Sequence, residues 1–166
     1  DQCYVTGNSG GGIGTDDVDD GSATLTSPPM QLSNYSSATL SFYYWFSNVG
    51  GNGSPNDKFQ VNVLVDGQVF PVYTESVSAS VWRFSGPIPM PAEALSSDDV
   101  RVEFIATDNA PGHVVEAGVD IFKVTLGAVG ISERPDADAL LRVAPNPSDS
   151  DFRIDYSWEA VAGMPL

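Results

Sequence analysis

Thr39-Leu40-Ser41-Phe42-Tyr43-Tyr44-Trp45-Phe46-Ser47 is the stretch that decides the fold. Its centre, Phe42-Tyr43-Tyr44-Trp45-Phe46, is the richest aromatic run of the chain. Side chains alternate across a strand, so Phe42, Tyr44 and Phe46 share one face and Tyr43 and Trp45 the other. One set fills the core between two sheets. The other packs under a loop or forms a platform on which sugar rings stack. Similar runs occupy 23–27, 59–65, 69–73, 81–85, 100–106 and 114–126, with shorter ones at 141–144 and 152–157. Clusters of Gly, Pro, Asn, Asp and Ser separate them. Only 92–95 reads as a helical turn. Val65-Asp66-Gly67-Gln68-Val69 is a hairpin signal, because Asp-Gly suits a type I′ turn. Pro71 puts the returning strand at a sheet edge or a bulge. Trp82 reads as core, with Arg83 facing out. This many strands at this spacing predict an all-β chain folded as a two-sheet antiparallel β-sandwich, a jelly roll.

Composition limits what such a sandwich meets. The chain has 166 residues, 42 % hydrophobic and 17 % charged, enough for one domain with a real core. Seven Lys and Arg face 22 Asp and Glu, a net charge of −15. No basic stripe exists, so nucleic acid and anionic membranes are poor partners. No apolar run approaches the roughly 20 residues of a membrane-spanning helix. One Cys (Cys3) and one His (His113) exclude an intrachain disulfide and zinc sites built from several Cys or His. Cys3 reads as a buried small apolar residue, since the strand-like Tyr4 and Val5 follow; a free thiol and an intermolecular bridge are the alternatives. The chain starts at Asp1 without Met or signal peptide, as a mature or excised segment does. Composition shifts near residue 127. Residues 1–126 read as the sandwich module, 127–139 as a linker, and 140–166 as two strands around a Pro-Asn-Pro turn. Two strands do not make an independent domain, so they begin a truncated module or dock elsewhere.

The chemistry concentrates in acids. Gly10-Gly11-Gly12-Ile13-Gly14-Thr15-Asp16-Asp17-Val18-Asp19-Asp20 places four carboxylates within five residues. Such crowding is costly unless the acids are solvated or neutralised, and calcium, which takes six to eight oxygens, is a natural neutraliser. Asp17 and Asp19 point the same way on an extended segment. In Val115-Glu116-Ala117-Gly118-Val119-Asp120, Glu116 and Asp120 share a face among apolar neighbours. Seven bases cannot pair 22 acids. Asp57 and Asp108 are further loop acids, and some subset can converge on one ion. The competing reading is a solvated acidic loop with Glu116 and Asp120 facing water. The EF-hand register fails, and the glycine run lacks the Lys of a phosphate loop. His113, in a Pro-Gly loop, reads as a surface residue. No Gly-x-Ser-x-Gly elbow accompanies it, and no carboxylate pair is marked for glycoside hydrolysis. The chain is therefore read as having no catalytic activity of its own.

Four motifs in order carry a resemblance: Cys3-Tyr4-Val5-Thr6-Gly7-Asn8, Asp17-Val18-Asp19-x-Gly21, Thr24-Leu25-Thr26-Ser27-Pro28 and Val115-Glu116-Ala117-Gly118-Val119-Asp120. Over roughly residues 2–126 the chain resembles the jelly-roll modules that follow the catalytic domain in secreted bacterial peptidases, especially zinc carboxypeptidases. The fold so implied is of the galactose-binding or P-domain type. The resemblance implies a non-catalytic accessory domain with structural calcium, held by Asn8, Asp17, Asp19, Glu116 and Asp120. The middle hairpin departs from the family's Ser-x-Asp-Gly-Gly-x-x-Trp-like turn. Leu141-Arg142-Val143-Ala144-Pro145-Asn146-Pro147 followed by Phe152-Arg153-Ile154 is similar to the start of the C-terminal sorting domain of type IX secretion cargo, without its later strands. That resemblance implies a Bacteroidetes-type bacterium and a secreted or outer-membrane-surface location. The expected partner is the catalytic domain of the parent protein. Two other functions compete. One is a carbohydrate-binding module using Tyr43 and Trp45, with a glycan or peptide ligand. The other is a self-assembling surface or filament subunit whose tail strands add to a neighbour's sheet edge.

Overall fold

Strict alternation builds the strands. Phe59, Val61, Val63 and Val65 are buried on one side of their strand, as are Val100, Val102, Phe104 and Ala106 on theirs. The computed structural model describes residues 2–7, 10, 14–128, 142–144 and 153–155. In chain order the strands are β1 (Tyr4–Val5), β2 (Gly21–Thr26), β3 (Tyr35–Val49), β4 (Lys58–Val65), β5 (Gln68–Glu75), β6 (Ala79–Phe84), β7 (Ile88–Pro89), β8 (Val100–Asp108) and β9 (Val114–Ala128). A 3₁₀ turn, Ala92–Ser96, lies where the helical turn is expected. One sheet has the order β1-β9-β3-β6, with β7 also on β3; the other has β2-β8-β4-β5. All pairs are antiparallel. The first four strands thus alternate between the sheets, and the last two insert between them, β8 between β2 and β4 and β9 between β1 and β3, which is jelly-roll topology. These strands belong to one compact unit, 1–129. A second unit, 130–166, holds the antiparallel pair β10 (Arg142–Ala144) and β11 (Arg153–Asp155). The rest of the expected tail strands, and residues 129–139 of the expected linker, lie outside the described residues.

The core is aromatic at its centre. Phe42 is fully buried, with ring centroids 5.1 Å from Phe104, 5.6 Å from Tyr73 and 5.7 Å from Tyr44. Tyr44 stacks on Phe59 at 5.2 Å. Such pairs add to the area term in holding the two sheets together. The Asp66-Gly67 hairpin has positive φ at both residues (49° and 81°), as a type I′ turn requires. Pro71 lies on edge strand β5 beside a register shift, where its missing N–H is tolerated.

Three positions differ from expectation. Trp82 is 45 % exposed on the outer face of edge strand β6, and Arg83 turns inward. Electrostatics decides this: Arg83 pairs with Glu75 across the sandwich edge at 3.0 Å and lies over the Tyr44 ring at 4.9 Å. Cys3 is exposed: it precedes the two-residue edge strand β1, whose strand pairing is to β9 alone and starts only at Tyr4. Finally, β9 does not keep one phase. Ile121 takes φ 48°, and the β3 register jumps from Tyr43↔Asp120 to Ser41↔Lys123. This bulge turns Phe122 inward onto Phe104 at 5.6 Å.

Glu75 gathers the edge network. Its carboxylate accepts from the Tyr44 hydroxyl (3.1 Å) and from the Ser76 and Val77 N–H groups (2.9 and 2.7 Å). Burial alone would raise its pKa. The Val77 N–H, the Tyr44 hydroxyl, Arg83 and the Ser76 N–H outweigh that and hold it below the ordinary carboxylate value. Burial, followed by the hydrogen bond with Tyr73 (2.6 Å), pushes Tyr44 above the ordinary phenol value.

Candidate metal centre

The inward rows of four strands end in polar residues at the same end of the sandwich. The β3 row runs Phe42, Tyr44, Phe46 and then Asn48. The β4 row starts at Asp57, the β8 row ends at Asp108, and the β9 row starts at His113. Strand pairing brings the four together: Asn48 opposes Val115, and Lys58 opposes Thr107. All four are buried, and the Asp57 and His113 side chains have no exposed surface. The last layer of the core is thus built from carboxylates, an amide and an imidazole rather than hydrocarbon.

Two loops close over this layer. The Asn56 side chain donates to the Ala110 carbonyl (3.1 Å), the Asn109 side chain to the Asn56 carbonyl (3.2 Å), and the Asn52 N–H to the Gly112 carbonyl (3.3 Å). Gly51, at φ +73°, makes the approach possible; a Cβ there would sit 2.2 Å from the Gly112 oxygen. Asp57 Oδ1 accepts the Asn109 N–H (2.7 Å). Asp108 accepts the His113 N–H on Oδ1 and the Asp20 N–H on Oδ2, both at 3.0 Å. Asp108 therefore ties the start of β9 to the N-terminal acidic segment.

The other oxygen of Asp57 behaves differently. Oδ2 lies 3.0 Å from His113 Nδ1, the separation of an ion pair. Yet the ring N–H direction misses it, and Oδ2, Nδ1 and Nε2 all lack hydrogen-bond partners. Asn48 Nδ2 is also buried and unpartnered. Buried polar atoms without partners are costly, so this concentration needs an explanation. Asp57, Asp108 and His113 each offer a ligand atom within 4.8 Å of the others, the only such group among the described residues.

The acids expected to hold calcium lie elsewhere. Asn8 is outside the described residues. The chain leaves the sheet edge after Thr6, whose N–H bonds the Ala117 carbonyl at 3.0 Å. It returns at Val18, which bridges Val115. Asp17 sits at that return, with Oδ1 buried and without a hydrogen bond, while Asp19 is exposed. Glu116 and Asp120 are half-buried on the outer face of β9, opposite Ser47 and Tyr43. Four residues of extended strand put them about 13 Å apart, too far for both to touch one ion. Asp120 Oδ1 instead accepts the Ile121 N–H of the bulge at 2.7 Å. None of these four acids joins a ligand group of three among the described residues.

No family model and no curated protein matches this chain.

The other singled-out residues line the opposite side of the same sheet. Trp45 lies across Gly118, where a Cβ would come within 2.2 Å of the indole nitrogen. Tyr43 is 39 % exposed and pairs with Phe84 at 5.1 Å; Trp82 is the next outward residue on β6. His113 is the member of the buried polar layer that a surface reading misses. Its signal was its phase: it stands two before Val115 and four before Ala117, in step with a buried row.

Proposed function

We propose that this chain is a non-catalytic, calcium-stabilised accessory module of a larger secreted protein, with a peptidase as parent. The observation that carries the reading is the return of the N-terminal loop. Thr6 and Val18 both bond the last long strand, and between them lies the glycine-rich acidic segment. Asp17 Oδ1 is buried there with no hydrogen bond, and Asp20 is tied to Asp108. Calcium at this closure, with Asp17 and Asp19 as ligands and Glu116 close by on β9, would pin the N-terminal segment to the sheet without a disulfide. The only histidine is buried, which removes the usual general base from solvent's reach. The resemblance of residues 2–126 supports the accessory role, and that of residues 141–154 supports export by type IX secretion to the cell surface or beyond. The test is the thermal melt of Asp17→Asn and Asp19→Ala chains. Both variants should melt below wild type in calcium and together with it in chelator. Equal losses in both conditions would overturn the reading.

A second reading has an observation of its own. Tyr43, Phe84 and Trp82 form an exposed aromatic row beside Trp45, of the kind sugar rings stack on. A carbohydrate-binding module predicts glycan-array binding that Trp82→Ala and Tyr43→Ala abolish. Absence of any glycan bound by wild type would remove it.

A further inference from the structure

We propose a second metal site, distinct from the calcium closure, in which Asp57, Asp108 and His113 hold one divalent transition ion. Charge is the first argument. Two carboxylates are buried within 4.8 Å of each other in a chain of net charge −15. Among the described residues their hydrogen-bond donors are the backbone N–H groups of Asn109, His113 and Asp20. A divalent cation with a neutral imidazole makes the group neutral, which is the condition for keeping it dry.

Geometry is the second argument. Asp57 Oδ2 and His113 Nδ1 are 3.0 Å apart and are not hydrogen-bonded to each other. Adjacent ligands at a right angle on an ion with bonds of about 2.1 Å stand about 3.0 Å apart, whereas the longer bonds of calcium, about 2.4 Å, open that gap to about 3.4 Å. Each Asp108 oxygen spends one lone pair on a backbone N–H and keeps another. Those two N–H groups fix the carboxylate, as hydrogen bonds to ligating carboxylates do in metal sites.

Donor type is the third argument. Calcium takes oxygen, while imidazole with carboxylates suits manganese, iron, cobalt, nickel or zinc. The ion would fasten the 49–57 and 108–113 loops from beneath, with no open substrate path needed.

The test uses the single histidine. Tag-free full-length chain, stripped with EDTA, is titrated with Mn²⁺ and examined by pulsed EPR. Any imidazole-nitrogen coupling must come from His113, because the chain has no other. The expected result is one equivalent of Mn²⁺ with that coupling. Asp57→Asn should weaken binding by more than about tenfold. It still offers an oxygen to the Asn109 N–H, which keeps the loop bonded. Asp19→Ala should leave the coupling unchanged. Failure of the wild-type chain to bind Mn²⁺, or bound Mn²⁺ without nitrogen coupling, would overturn the proposal. Neither result would bear on the calcium site, whose test is the calcium-dependent melt.

Discussion

Removing the Asp108 carboxylate should loosen the loop end of the sandwich by a calculable amount. Asp108→Ala deletes the acceptors of the His113 and Asp20 N–H groups, both bonded at 3.0 Å. The first bond is buried and charge-assisted, worth about 1.5–3 kcal/mol. Asp20 is exposed, so its N–H regains water and loses about 0.5–1 kcal/mol. Relief of repulsion with Asp57 offsets part of the sum, which leaves a net loss of about 2–3 kcal/mol. Urea unfolding in EDTA, followed by tryptophan fluorescence, reads this loss without any ion contribution. With a slope of about 2 kcal/mol per molar, the midpoint should fall by about 1–1.5 M at unchanged slope. Asp108→Asn keeps one acceptor oxygen and should lose about half as much. Hydrogen exchange should speed up at the His113 and Asp20 amides before the β4 and β8 amides. An Asp108→Ala midpoint within about 0.25 M of wild type would refute the reasoning, because the carboxylate would then not hold the two segments.

Three further outcomes follow from the core and its edge. Phe42→Ala should cost about 3–5 kcal/mol in the same unfolding assay, since a fully buried ring among four others leaves a cavity its neighbours cannot close; a loss under about 2 kcal/mol would contradict the packing. The folded-state pKa of Glu75 lies below its ordinary value of 4.5. Its contribution is therefore complete above that pH and is lost as pH falls through the depressed value, so Glu75→Gln should flatten the acid limb of stability against pH, and parallel limbs would exclude this role. Gly51→Ala should cost about 1–3 kcal/mol and raise exchange at His113, because it combines a positive φ with a backbone clash at Gly112; an unchanged melt would mean the loops do not meet there.

The sandwich was legible where one face of a strand is dry and the other wet. Phe59-x-Val61-x-Val63-x-Val65 and the Asp66-Gly67 turn specify a strand, its buried face and its hairpin without reference to the rest of the chain. Pro71 announced an edge or a bulge, and both are present. Legibility failed where partners distant in sequence override local pattern. Trp82 looks like core by hydrophobicity, but Arg83 goes inward because Glu75 and the Tyr44 ring wait there. The Ile121 bulge reverses the phase of β9, which no period-2 count reveals in advance. The buried polar layer was half legible. Asp57 and Asp108 stood out as loop acids, but their meeting with His113 depends on two loops that zip together only in the folded sheet ends. A stricter count would have found each of them in step with a buried row.

The central claim is a sandwich whose N-terminal segment is fastened to β9 by calcium, and melting the EDTA-stripped wild-type chain tests it most directly. Curves are recorded in EGTA, in calcium up to about 10 mM, and in magnesium at the same concentrations. An ion bound only by the folded state at about 100 times its dissociation constant adds about 2.7 kcal/mol. For a unit of this size that is a rise in Tm of about 8–12 °C. A rise of that order in calcium and a far smaller one in magnesium is the predicted result; melting curves that superimpose in EGTA and in saturating calcium would contradict the account.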